Sequence, residues 1–188
     1  MGEGVWWNAT MQALLGRLLG ELGAVLRDLD SQQTQERTSG RPSAWTVQQI
    51  VEHLRLTYAA TDRAMRERIA KGSPTKTNPS PAQWMGQMAV TRFGYFPKGR
   101  MAPSGVTPTQ MMEPLSGEDL RSLVARDLEH MDAVLAEAEL MLGRGRSVSH
   151  IILGPMSIDQ WRRFHLEHGR HHVKQITAIT KASARSSV

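Results

Sequence analysis

The chain has 188 residues, 40% apolar and 22% charged, with a net charge of +5 and no cysteine. This balance fits one globular domain and excludes a disordered or collagen-like chain, and the lack of thiols excludes disulfides, zinc–thiolate sites and a cysteine nucleophile. No apolar run reaches the roughly 18 residues of a membrane span and no secretory pattern opens the chain, so the expectation is a cytoplasmic protein without membrane contact. The arginines are scattered, which reads as a solvated basic surface with no specific nucleic-acid partner.

Apolar residues recurring every three or four positions predict four long helices. The first spans about Trp7 to Leu29, with the stripe Trp7, Met11, Leu14, Leu18, Leu22, Val25 and Leu29. Gly16, Gly20 and Gly23 lower its intrinsic propensity and offer room for a neighbour's close approach. Asp30 to Ser43 is polar, contains Gly40 and Pro42, and reads as a connection. The second helix starts after a Thr46 cap, ends near Gly72, and carries the stripe Val47, Ile50, Leu54, Tyr58, Thr61 and Met65.

Gly72 to Leu115 holds seven of the nine prolines. A short helix fits about Pro81 to Tyr95, with Trp84, Met85 and Met88 inward. So long a connection inside a compact domain carries function or crosses the fold, and a crossover would let the helices on either side run parallel. The third helix follows a Ser116 cap, with Asp119 in its first turn, and Gly143 and Gly145 end it. Its stripe is Leu120, Val124, Leu128, Met131, Leu135, Ala138 and Leu142. The fourth is capped by Ser157 and reaches about Lys181, before a polar tail over 182–188 that frays. No segment alternates with period two. The expectation is therefore one all-α domain over 1–188, a four-helix bundle running up-down-down-up, with no sheet.

The chemistry concentrates on the fourth helix. At about 100° per residue, Trp161, Ile176 and Ile179 fall within about 60° of Ile158, and His165, His168 and His172 within about 80°. Three imidazoles thus stand where the pattern asks for Leu or Ile. Their burial costs free energy unless each ring finds partners. Carbonyls and carboxylates supply such partners, and so does a cation such as zinc, nickel, iron or copper. Three histidines in one seam favour the cation, and His168 and His172, one turn apart, are placed to share it. His171 points away, as a flank residue.

His53 lies at the border of the second helix's stripe. At 1.5 Å per residue, His53 and His172 sit about 10–14 Å from the same end of the bundle if their helices are antiparallel, so the pair can meet. Asp127 falls inside the third helix's stripe at similar depth. An inward carboxylate there could accept from a ligand histidine, bind the ion, or be the buried partner of an arginine such as Arg162 or one near Arg126. His130 and Glu129 read as flank or solvent residues.

The segment Trp45-Thr-Val-Gln-Gln-Ile-Val-Glu-His53-Leu54 resembles the start of the second helix in the DinB/YfiT-like superfamily. His150-Ile-Ile-Leu-Gly-Pro-Met-Ser-Ile-Asp-Gln-Trp161, followed by His168-Gly-Arg-His-His172-Val-Lys-Gln175, resembles its last-helix signature. Tyr95-Phe-Pro-Lys-Gly-Arg-Met-Ala-Pro103 resembles the crossover of one uncharacterised branch. The resemblance covers most of the chain. It implies a four-helix bundle, often a homodimer, in which His53, His168 and His172 hold a divalent metal. Relatives of this kind include metal-dependent thiol S-transferases, maleylpyruvate isomerase-like proteins and hydrolases.

His165 departs from that ligand pattern and is a candidate fourth ligand, general base or pocket-lining residue. Three histidines leave a coordination position open, which suits catalysis better than a closed structural site. Ser-His-Asp spacing, a Gly-rich phosphate loop and H-E-x-x-H are all missing, which weighs against protease and nucleotide chemistry. The expectation is a hydrolase or thiol S-transferase that uses zinc, nickel or iron on a small molecule, a low-molecular-weight thiol included. His165 and Asp127 are its catalytic candidates. The alternative is a non-catalytic stress-related or ligand-binding protein with a structural metal.

Overall fold

The computed structural model describes residues 6–38, 40–97, 101–109 and 113–186, with side chains from 13 to 185. The side chains of Trp7 and Met11 and residues 98–100 of the crossover motif lie outside the described residues, as do 187–188 of the tail. Five helices and one two-stranded sheet make up the described fold. The helices are α1 (Trp6–Leu26), α2 (Val47–Ala70), α3 (Pro81–Phe93), α4 (Gly117–Leu142) and α5 (Ile158–Ser186). The strands are β1 (Arg146–His150) and β2 (Gly154–Ser157). Among the described residues no helix is long and apolar enough to cross a membrane.

Helix starts follow their caps. At Thr46, Ser80 and Ser116 the side chain accepts from the N3 backbone N–H, and the N3 side chain accepts from the cap's own N–H. Ser157 and Gln160 make the same reciprocal pair ahead of α5. The predicted stripes of α2 and α4 are buried throughout. On α1 the buried line is Leu15, Leu18, Leu22 and Leu26, while Leu14 and Val25 are half-buried at its edge, and the helix ends at Leu26, so the half-buried Leu29 lies beyond it. α5 continues through Ser186, past the expected stop at Lys181, because Ala182, Ser183 and Ala184 contain no helix breaker.

Three expectations are corrected. The β1–β2 hairpin stands where no sheet was expected: a register shift between Arg146 and Val148, and a second strand buried on both faces, erase the period-two signature. Gly154 turns this hairpin with φ +69°, and a Cβ there would lie 2.5 Å from the Gln83 amide carbon. On α3, Gln87, Val90 and Thr91 point inward while Trp84 and Met85 are exposed, because the Gln87 amide reaches the Leu153 and Pro155 carbonyls. Gly16 and Gly20 face open space and Gly23 meets only the Arg121 side chain, at ordinary contact distance; the close approaches to this part of the chain are at Gly169 and Gly117, where a Cβ would collide with Leu18 and with the Leu26 carbonyl.

Cross-helix pairs give the running directions. Arg55 meets Asp127 and Asp62 faces His130, so α2 and α4 run parallel. Gly117 N donates to Leu29 O, which joins the end of α1 to the start of α4. Arg162 pairs with Glu139 beside the hairpin, so α5 returns along α4. The crossover is strapped to α2. Gln48 donates to Glu113 O and accepts from Leu115 N, Gln49 donates to Thr109 O, and Glu52 accepts from Thr109 N. These side chains lie on the turn that carries His53, so the same contacts bring the crossover backbone to that ring.

Candidate metal centre

His53 sits in the second turn of α2, 5% exposed, with Trp45 packed on its ring at 4.9 Å. Its Nδ1–H donates to the Val106 carbonyl at 2.7 Å. A carbonyl can only accept, so the proton is on Nδ1 and Nε2 presents a lone pair. From α5, His168 and His172 project on the same side, one turn apart. The Nδ1–H of His172 donates to Gln175 Oε1 at 2.8 Å, which leaves its Nε2 as a lone pair too.

The three Nε2 atoms converge. His168 Nε2 lies 3.2 Å from His53 Nε2 and 3.1 Å from His172 Nε2. The ligand atoms of these three buried rings all lie within 4.8 Å of one another. A proton on His168 Nε2 could serve only one of its two neighbours at a time, so one lone pair of the cluster lacks a donor. A single cation satisfies all three lone pairs. Tetrahedral zinc with bonds of about 2.0–2.1 Å spaces its nitrogens by about 3.3 Å, close to the two separations from His168. Three converging neutral imidazoles therefore fit a divalent transition metal.

Electrostatics favour the same state. Burial, opposed by the Val106 hydrogen bond, holds His53 below the usual histidine range. Burial with repulsion from His53 lowers His172 to about 3. His168 is driven well below its ordinary value by burial and then by its neighbouring histidines. All three are neutral at pH 7, as ligands must be.

The DinB superfamily model matches residues 14–176, a span that includes all three histidines. The chain belongs to the DinB superfamily. No curated protein and no solved structure gives a significant match.

The remaining candidates of this DinB chain sit outside the triad. His165 is fully buried, and its Nε2 meets Thr61 Oγ at 3.0 Å. The Thr61 hydroxyl gives its proton to Thr57 O, so it accepts from His165 Nε2–H. His165 is thus held by α2, and burial lowers it to about 3. Asp127 does not reach a ligand histidine. Its carboxylate takes Arg55 Nε at 2.6 Å and Arg126 Nε at 3.3 Å, because α2 presents Arg55 on the flank that Asp127 faces. Arg162, the suggested partner, is engaged by Asp132, Glu139 and Asp159 instead. His171 is half-buried beside the triad, against Phe96 and His172, and His130 and Glu129 are exposed.

Sequence reasoning missed three participants. Val106 acts through its backbone, which leaves no residue-type signal. Phe96 reaches His168 at 5.5 Å from the crossover, and its proline-rich context hid it. Gln175 was readable in principle, standing three residues after His172 on the same helix.

Proposed function

We propose that this DinB-superfamily protein is a metal-dependent enzyme, a hydrolase or thiol S-transferase acting on a small molecule. His53, His168 and His172 would hold a divalent zinc, nickel or iron ion. The observation that carries the reading is the convergence of three buried Nε2 atoms, two of them with their Nδ1 protons already committed elsewhere. We further read α1, α2, α4 and α5 as an up-down-down-up four-helix bundle, which the parallel α2–α4 pair and the returning α5 support. The family resemblance adds a homodimer, to be checked by sedimentation equilibrium.

A metal bound at such a site supplies a Lewis acid and acidifies a coordinated water or thiol. The chain's own residues hold the rings and exclude water. Val106 and Gln175 keep the Nδ1 protons of their histidines in place. Phe164 stacks on His168 at 5.4 Å with Phe96 on the same ring at 5.5 Å, and Trp45 covers His53, making an apolar surround that strengthens any charge developing inside it. Asp127 and His165 are held by Arg55 and Thr61, so the proposal rests on the triad. The burial of all three ligands, none above 8% exposed, favours one second reading, a structural ion.

Metal analysis of tag-free protein tests both. About one transition-metal ion per chain, lost in His168→Ala, is the expected result. Trace metal in the wild type together with no uptake on zinc addition would overturn both readings. Turnover of simple esters, amides or thiol conjugates by the metal-loaded protein, abolished by chelator at a temperature where the fold survives, separates the enzyme from the structural ion.

A further inference from the structure

Gln175 lies one turn beyond His172 on α5 and is exposed. Its amide bridges two imidazoles. Oε1 accepts from His172 Nδ1–H at 2.8 Å, and Nε2 donates to His171 Nε2 at 3.1 Å. An amide oxygen only accepts and an amide nitrogen only donates, so each bond fixes the other. With Nε2 engaged by the His171 lone pair, Oε1 must face His172, and His172 must carry its proton on Nδ1. Its Nε2 is then a free lone pair, 3.1 Å from His168 Nε2. Were the amide turned over, its nitrogen would face His172 Nδ1. The proton would move to Nε2, onto the atom that faces the triad.

The two outer histidines of the triad are therefore secured differently. The acceptor for His53 is a main-chain carbonyl, which cannot turn over. The acceptor for His172 is a side-chain amide, which can, and among the described residues only His171 is hydrogen-bonded to its nitrogen. His171 is itself held between Phe96 and His172, each at 5.2 Å.

We infer that Gln175 is a positioning residue for the triad: oriented by His171, it selects the Nδ1–H tautomer of His172 and so keeps Nε2 open to a metal ion. The inference rests on the metal reading above and adds to it a residue that touches neither ion nor substrate.

Two measurements on the whole protein test it. Imidazole ¹⁵N spectra of the metal-free form report the His172 tautomer, and chelator competition reports zinc affinity at a single pH. Gln175→Leu is expected to move His172 toward the Nε2–H tautomer and to weaken zinc about 10–100-fold. Gln175→Glu, which retains an acceptor, is expected to keep the wild-type tautomer and bind zinc at least as tightly. Melting temperatures of the metal-free proteins should agree, since the side chain is exposed, so a general loss of structure would be visible as such. An unchanged His172 tautomer in Gln175→Leu overturns the inference, and so does wild-type zinc affinity in that variant. If the wild type takes up no zinc, the metal reading fails alone and the tautomer measurement still decides the role of Gln175.

Discussion

Two buried polar clusters lie along α5, and they meet the cost of burial in opposite ways. Near the start of the helix, Arg162 is 5% exposed and meets Glu139 at 2.8 Å, Asp159 at 3.4 Å and Asp132 at 3.6 Å. Burial raises the Asp132 carboxyl and Arg162 pulls it back. Further along, His168 and His172 join His53, and burial first, with repulsion from neighbouring histidines after it, pushes all three in the same direction, toward neutrality. The first cluster contains both signs of charge, so its ions are neutralised as the chain folds, even though Arg162 Nε and Nη2 and Asp132 Oδ1 make no hydrogen bond. The second contains three bases and, among the described residues, no acid or cation in hydrogen-bond contact with them. A polar cluster that supplies its own counter-charge holds helices together; one that does not is shaped for something from outside.

The sharpest way to separate the two clusters is to remove one member of each. His168→Ala is expected to abolish stoichiometric metal uptake, read by elemental analysis, while the metal-free protein keeps its fold. Arg162→Ala should do the reverse. It strands Asp132 in a mostly buried setting, leaves Glu139 with Arg144 alone, and is expected to cost about 3–5 kcal/mol of stability in urea unfolding, with metal content unchanged. If Arg162→Ala also emptied the site, the contrast drawn between the clusters would collapse.

Metal and acid probe the same distinction more gently. Zinc at 100 times its Kd is expected to stabilise the wild type by about 2.7 kcal/mol and His168→Ala not at all, measured by thermal melting. His150 tests burial without a metal role. Its Nδ1 accepts from Ile152 N and Leu153 N at 3.1 Å each, and burial lowers it from 6.5 to about 4. Because the folded value lies below the unfolded one, its contribution is complete above pH 6.5 and fades as pH falls toward 4. The wild type should therefore lose more stability than His150→Asn between pH 7 and 4.5, since asparagine keeps an acceptor and does not titrate. The smallest effect belongs to Asp127→Asn. Its pair with Arg55 is about a quarter exposed on each side, so at most about 1 kcal/mol is expected, with zinc affinity untouched.

Much of this was readable in advance, and the gaps have physical causes. The α2 and α4 stripes and the caps at Thr46, Ser116 and Ser157 follow local rules of periodicity and hydrogen bonding. Depth counting along two rods was enough to bring His53 to His172. Asp127 takes the arginine pair, one of the readings left open for it, and the sequence alone could not choose because a stripe position tells only which face a residue occupies. Its partner Arg55 lies on another helix, and an ion pair at the edge of an interface looks identical in sequence to an inward carboxylate. The hairpin was missed because a strand buried on both faces and a strand with a register shift both lose their alternation.

The sequence by itself determined the four long helices, the buried faces of α2 and α4 and which imidazoles share a seam, since these depend on spacing along one chain at 3.6 residues per turn. Only the tertiary structure decided which ring nitrogens carry protons, that Val106 and Gln175 hold them there, and that Arg55 claims Asp127. Those are choices among partners distant in sequence or rotatable in place, and they are settled only when the helices close and each buried polar atom takes what lies within hydrogen-bond reach.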